Sequence, residues 1–228
     1  MFVPLSDDNP LKSIPFQYMT VLLIAINVIV YAMSVAGLGE GAIVSFAVVP
    51  SELLGTIAGV APGELAVQSI AVPERLTPIT YSFFHADAIH LLGNMLFLWV
   101  FGDNVEDAMG HVKFLVFYLL CAAAAAMFHA MMSPTSPVPL IGASGGVAGV
   151  IAAYLMLHPR VRVWVLVMRV IPMQISAAFA LGAWVLTQLV MVALPQTGPV
   201  AWWAHIGGLI AGAALILVMR RKGVPVLQ

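Results

Sequence analysis

The sequence predicts an all-α fold: a polytopic membrane protein built as a bundle of six spanning helices. Three observations carry that expectation. Hydrophobic residues make up 62% of the 228 residues and charged residues only 8%, against roughly 45–50% and about 25% in a soluble domain. Too little polar surface remains to face water all round, so much of the chain must face lipid. Six apolar runs have lengths near the roughly 17–25 residues that a helix needs to cross hydrocarbon. The basic residues then fall almost entirely on one side of the bundle.

The first run covers 18–36. The second, about 87–102, is short. The third covers 112–132 and the fourth 142–157, again short. The fifth covers 170–194 and the sixth 200–219. Backbone groups cannot stay unpaired in hydrocarbon, so each run reads as a helix. The stretch 42–61 is also apolar, but Pro50 and Glu52 sit at its centre. It reads as part of a long loop lying partly in the interface, continued by Pro62, Pro73 and Pro78.

Sidedness follows from Lys and Arg. With the N-terminus inside, Lys12, Lys113, Arg160, Arg162, Arg169, Arg220, Arg221 and Lys222 lie on the cytoplasmic side and only Arg75 lies outside. A seven-span alternative with the N-terminus outside also leaves most of the basic residues on one side, so the broken 42–61 run is the stronger argument for six. Residues 1–17 form a short cytoplasmic N-terminus, 18–219 the membrane domain and 220–228 a cytoplasmic tail. Pro4, Asp7, Asp8 and Asn9 make the N-terminus unlike a cleavable signal. The single Cys121 cannot form an internal disulfide, and no basic cluster suits nucleic acid.

This topology gives four polar residues, distant in sequence, the same membrane depth. Ser144 lies at the outer end of the fourth span, His205 about one and a half turns into the sixth, and His90 and Asn94 in the outer half of the second. Polar groups at membrane depth are costly, which makes them functional candidates. Ser144 sits in Gly142-Ala143-Ser144-Gly145-Gly146. A serine opening a helix keeps its N–H outside the helix ladder, and the helix dipole there favours developing negative charge. His205 could be the base that a serine hydroxyl needs to become a nucleophile. Gly145 and Gly149 in the fourth span match Gly208 and Gly212 in the sixth at G-x-x-x-G spacing, so the two helices can approach closely. His90 and Asn94, four apart, share one helix face and can donate hydrogen bonds to a carbonyl oxygen under attack. Taken one at a time, these features also suit plain structural roles: a serine N-cap, a histidine bonded to a carbonyl, a polar pair joining helices. Their convergence is the informative feature.

Absences narrow the chemistry. No Asp or Glu lies in spans three to six, and Asp103, Glu106 and Asp107 fall on the opposite side from His205. A Ser-His dyad therefore fits better than a Ser-His-Asp triad. No H-E-x-x-H is present, and His85, His90 and Asp87 do not share a helix face, so no metal site is expected.

Together, His90-Leu91-Leu92-Gly93-Asn94 in the second span, Gly142-Ala143-Ser144-Gly145 in the fourth and Ala204-His205-x-x-Gly208-x-x-x-Gly212 in the sixth resemble the motifs of the rhomboid family of intramembrane serine proteases. The likeness runs from about residue 18 to 219. It implies that Ser144 is the nucleophile and His205 the general base, with His90, Asn94 and the Ser144 backbone forming the oxyanion site. It further implies that Glu106 is structural, that the long loop before His90 lies half in the membrane, and that the last loop and fifth span move to admit substrate. The chain departs from the family pattern at two places. Ala148 stands where many relatives carry an aromatic that stacks on the histidine, so another side chain is expected to pack that face of His205, and Tyr154 lies too far along the helix. A Trp-Arg pair of the first loop is also missing; Glu74-Arg75 stands nearby.

The expected function is hydrolysis of peptide bonds in or near transmembrane segments of membrane-protein substrates, by a Ser144–His205 dyad and without cofactor or metal. Membrane lipid and transmembrane proteins are the expected partners. The compact core suggests a bacterial plasma membrane, with the termini cytoplasmic and the site facing out. Two alternatives are a non-catalytic rhomboid-like protein that binds membrane clients, which usually lacks the Ser or the His, and a small transporter, which would need charged pairs at mid-depth.

Overall fold

The computed structural model describes residues 2–37, 41–56, 72–168, 170–194, 198 and 200–227. Among the described residues, six helices of 14 residues or more appear in the order expected: α1 (Tyr18–Val35), α2 (Ala88–Met109), α3 (His111–Met132), α4 (Ser144–Leu157), α5 (Ala177–Ala193) and α6 (Trp202–Met219). By length and composition α1, α2, α3 and α6 can each cross a membrane, while α4 and α5 are shorter apolar helices. The chain is thus a helical membrane bundle.

Helix α4 has 14 residues, eleven of them buried. At ~1.5 Å per residue it reaches ~21 Å, short of ~30 Å of hydrocarbon. It is therefore too short to reach from one membrane face to the other. It is the central element, packed against α2, α3 and α6. Small residues make this possible. A Cβ on Gly208 would overlap the carbonyl oxygen of Gly145, and one on Gly212 the carbonyl oxygen of Gly149. A Cβ on Gly149 would also meet Cys121 Sγ at 2.5 Å, and one on Gly146 the ring of Tyr118 at 2.8 Å. Backbone-to-backbone approach of this kind replaces the hydrophobic drive that lipid-facing helices lack.

Helix α1 is held from α2. The first-turn N–H groups of a helix need partners outside it, and Gln17 at the N-cap offers no side-chain bond. The fully buried Glu106 carboxylate accepts from Met19 N (3.0 Å), Thr20 N (2.8 Å) and Thr20 Oγ1 (2.7 Å), and pairs with His111 Nδ1 at 2.5 Å. Asp107 accepts from the backbone of Lys12, Ser13 and Ile14 just before it.

One part of the chain departs from the sequence expectation. Residues 170–176, read as the start of the fifth span, are not helical. They form strand β3 (Ile171–Ser176), which pairs antiparallel with β2 (Arg162–Val167), and β2 pairs antiparallel with β1 (Phe2–Asp7). An apolar run does not by itself separate a strand from a helix. Here the β-branched run Val163-Trp164-Val165-Leu166-Val167 alternates in burial at first, with Val163 and Val165 fully buried. The N-terminal residues are therefore part of the folded unit: Phe2 packs on Phe97, and the Tyr154 hydroxyl donates to Asp7.

Before Ser144 the chain is fixed by two anchors. Val48 and Leu140 exchange backbone hydrogen bonds (3.1 and 2.7 Å), and Gly142 N donates to Tyr81 O at 3.1 Å. Tyr81 in turn donates its hydroxyl to Ala122 O on α3 at 2.9 Å. Within the predicted loop 42–61, short helices occupy Ala42–Phe46 and Pro50–Leu53. Its last part, 57–61, and Pro62 lie outside the described residues.

Candidate active site

Ser144 is the first residue of α4, and Ala143 before it is the N-cap. The Ser144 hydroxyl therefore does not cap the helix. It lies 2.9 Å from His205 Nε2. The close α4–α6 packing at Gly145–Gly208 is what brings the two side chains together across 61 residues of sequence. His205 is 8% exposed and Ser144 half-buried, so the pair lies at the edge of the interior.

His205 has a second partner that the sequence reading did not name. Its Nδ1 lies 2.8 Å from Oε1 of Gln188 on α5, and Gln188 is 2% exposed. Two tryptophans also approach the ring. Trp184 sits at 5.8 Å with an interplanar angle of 36°, and Trp202 meets it edge-on at 5.9 Å and 89°. These two rings are the aromatic neighbours of His205 among the described residues, and they come from α5 and α6 rather than from position 148. Tyr154 does not approach His205; it faces Phe101 and His158 and bonds Asp7.

His90 and Asn94 start from a capped helix. Asp87, in extended conformation, accepts from His90 N at 2.8 Å and so fixes where α2 begins. The His90 ring lies against Gly142, where a Cβ would come within 2.7 Å of the ring Cε1 and Nε2. Gly142 has φ +121, a conformation that side chains rarely adopt. Glycine there gives both the turn into α4 and the space for His90, two residues before Ser144.

Asn94 Nδ2 lies 3.1 Å from His85 Nε2, and Ala143 N donates to the same nitrogen at 3.4 Å. Both partners are donors, so Nε2 of His85 is the bare nitrogen and Nδ1 carries the proton. Burial, and after it the neighbouring His90, push the His85 pKa down to about 4, so it stays neutral at physiological pH. His85 thus ties Asn94 to the N-cap of α4. Its spacing of five from His90 hid this, because the two sit on opposite sides of the helix start. Among the described residues no three His, Cys, Asp or Glu side chains converge as a metal site would need.

A backbone N–H at a helix start, a hydroxyl paired with a neutral-capable imidazole and two side chains able to donate are the parts needed for acyl transfer through an oxyanion. Glu106, Asp103 and Asp107 lie at the far end of α2 from His90, and the group at Nδ1 of His205 is an amide.

The chain is similar to known proteins of one family. A family model described as a Rhomboid domain matches residues 73–222, which include Ser144, His205, His90 and Asn94. The chain is 29% identical over 163 residues (64% of this chain, 47% of the relative) to RHOMBOID-like protein 12, mitochondrial, of Arabidopsis thaliana. It is 30% identical over 145 residues (60% and 36%) to Presenilin-associated rhomboid-like protein A, mitochondrial, of Danio rerio. It is 28% identical over 158 residues (65% and 43%) to Rhomboid protein 1, mitochondrial, of Saccharomyces cerevisiae. The chain spans less than half the length of each of these relatives. Their names are mitochondrial and lend no support to the bacterial plasma membrane suggested by the sequence.

Proposed function

The chain belongs to the rhomboid family, and from that premise we propose that it is an intramembrane serine endopeptidase acting on peptide bonds in or near the transmembrane segments of other membrane proteins. The observation that carries this reading is the 2.9 Å contact between Ser144 Oγ and His205 Nε2.

In the proposed reaction His205 Nε2 takes the Ser144 hydroxyl proton as Oγ bonds to the substrate carbonyl carbon. The carbonyl π electrons move onto oxygen. That oxyanion is held by the Ser144 N–H and by donors from His90 and Asn94. His205 then gives its Nε2 proton to the amide nitrogen as the C–N bond breaks. The amine product leaves, and an acyl-enzyme remains on Ser144. Water, deprotonated by His205, attacks the ester carbonyl; the Oγ–acyl bond then breaks, the acid product leaves, and His205 returns its proton to Ser144 Oγ. No step calls for a metal or cofactor. With every basic residue but Arg75 on the opposite side, the active side faces away from the cytoplasm.

A non-catalytic client-binding role has less support, because serine and histidine are both in place and in hydrogen-bond contact. The test is cleavage of a model transmembrane substrate by purified protein in detergent. Wild type should cut it and Ser144→Ala should not. Equal cleavage by that variant overturns the assignment.

A further inference from the structure

Resting on the proposed dyad, we infer that Gln188 is a positioning residue that locks His205 in the one tautomer able to accept the serine proton. An imidazole can act as base toward Ser144 only if Nε2 is bare, which places its proton on Nδ1. In water the two neutral tautomers interconvert freely. Among the described residues no carboxylate meets the His205 ring, so something else must choose between them.

The amide of Gln188 makes that choice through its other end. Gln188 Nε2 donates to the carbonyl oxygen of Trp184, one turn earlier on α5, at 2.8 Å. Flipping the amide would set Oε1 against that carbonyl, oxygen to oxygen. The NH2 group is thereby fixed on Trp184 and Oε1 is fixed toward His205 Nδ1, 2.8 Å away. An oxygen with no hydrogen can only accept, so Nδ1 must carry the hydrogen. The chain of donors runs one way: Ser144 O–H to His205 Nε2, His205 Nδ1–H to Gln188 Oε1, Gln188 Nε2–H to Trp184 O.

Burial adds weight. Gln188 is one of four buried residues on α5, and Ala177, Ala180 and Leu181 are the others. On the outward side Leu186, Leu189 and Val190 are exposed. A glutamine side chain at 2% exposure needs its polar atoms paired, and both have partners. The same helix supplies Trp184 against the histidine ring. Displacing α5 would therefore remove the Nδ1 acceptor and the ring contact together. Gln188 takes no proton at any step: it orders the imidazole and, when that becomes imidazolium, accepts from the same N–H. An amide does this with a dipole where a triad uses a charge.

The test compares wild type with Gln188→Met and Gln188→Glu in detergent. Methionine keeps the length without an acceptor. Glutamic acid keeps the acceptor, and in its protonated form its O–H can replace the amide donation to Trp184. Gln188→Met should lower kcat about 10²-fold or more with KM nearly unchanged, and Gln188→Glu should restore kcat to within about tenfold of wild type. A Gln188→Met enzyme with wild-type kcat overturns the inference, and so does a folded Gln188→Glu protein as slow as the methionine variant. A readout independent of activity is the ¹⁵N NMR spectrum of the His205 ring in Ser144→Ala protein. It should show Nδ1 protonated and Nε2 bare, and the opposite tautomer overturns the inference. Failure of wild type itself to cleave would count against the protease reading, whereas the ring spectrum judges Gln188 regardless.

Discussion

The carbonyl oxygen of Gly145 occupies the space that a Cβ on Gly208 would need. The contact lies one residue past Ser144 and three past His205, so it sets how close the proposed nucleophile and base can come. Gly208→Ala should therefore destabilise the protein by about 1–3 kcal/mol through overpacking and abolish most activity by parting Ser144 from His205. Gly182→Ala is the matched control, because no atom of the described residues lies within 4 Å of the added carbon. It should change stability by less than about 0.5 kcal/mol. Thermal unfolding in detergent, read with substrate cleavage, checks both.

His90 and Asn94 approach the start of α4 from one face of α2. If they hold the oxyanion, they act in the transition state and little in the ground state. His90→Ala and Asn94→Ala should each lower kcat by ~10²–10³ while KM stays nearly constant. A rise in KM with kcat preserved would assign them to substrate binding instead.

Glu106 joins α2 to the first turn of α1. Replacing it with alanine strands two backbone N–H groups and the Thr20 hydroxyl, and should cost about 3 kcal/mol. Glu106→Gln, which keeps an acceptor, should cost less. Unfolding midpoints give the ranking, and equal stability of all three proteins would show that α1 is held elsewhere.

Asp7 gives a pH signature. Burial raises its pKa from 3.8 to about 6, against the opposing effect of the Tyr154 hydroxyl that donates to it. The folded form therefore holds the proton more tightly than the unfolded form. Its contribution to stability is complete below the unfolded value and is lost as pH rises through about 6. Wild type should lose unfolding temperature relative to Asp7→Asn between pH 4 and pH 7. A difference that does not change with pH would mean that β1 docks without regard to the charge.

Much of this molecule was legible in the sequence. Apolar runs placed six helices, because hydrocarbon leaves a spanning backbone few other ways to pair its polar groups. Ser144, His205, His90 and Asn94 stood out because polar residues at that depth are rare. The β2–β3 pair was missed because run length and hydropathy do not tell Ile171–Ser176 in a strand from the same residues opening a helix. Gln188 was missed for a different reason. Nothing in the spacing of one glutamine along α5 says which of its faces meets α6, and only the packed arrangement of the two helices brings it to Nδ1 of His205. His85 was hidden likewise, since its partner Asn94 is nine residues away across the helix start. The aromatic absent at Ala148 was expected to have a substitute, but that Trp184 and Trp202 are the rings near His205 depended on tertiary packing.

The proposed chemistry makes Ser144 a nucleophile activated by His205. Its most direct measurement is covalent labelling by a fluorophosphonate probe, with the modified residue located by mass spectrometry. Wild type should be labelled at Ser144, while His205→Ala and Ser144→Ala should show no labelling. A wild-type protein that resists the probe while cutting substrate, or one labelled equally in His205→Ala, would contradict the account.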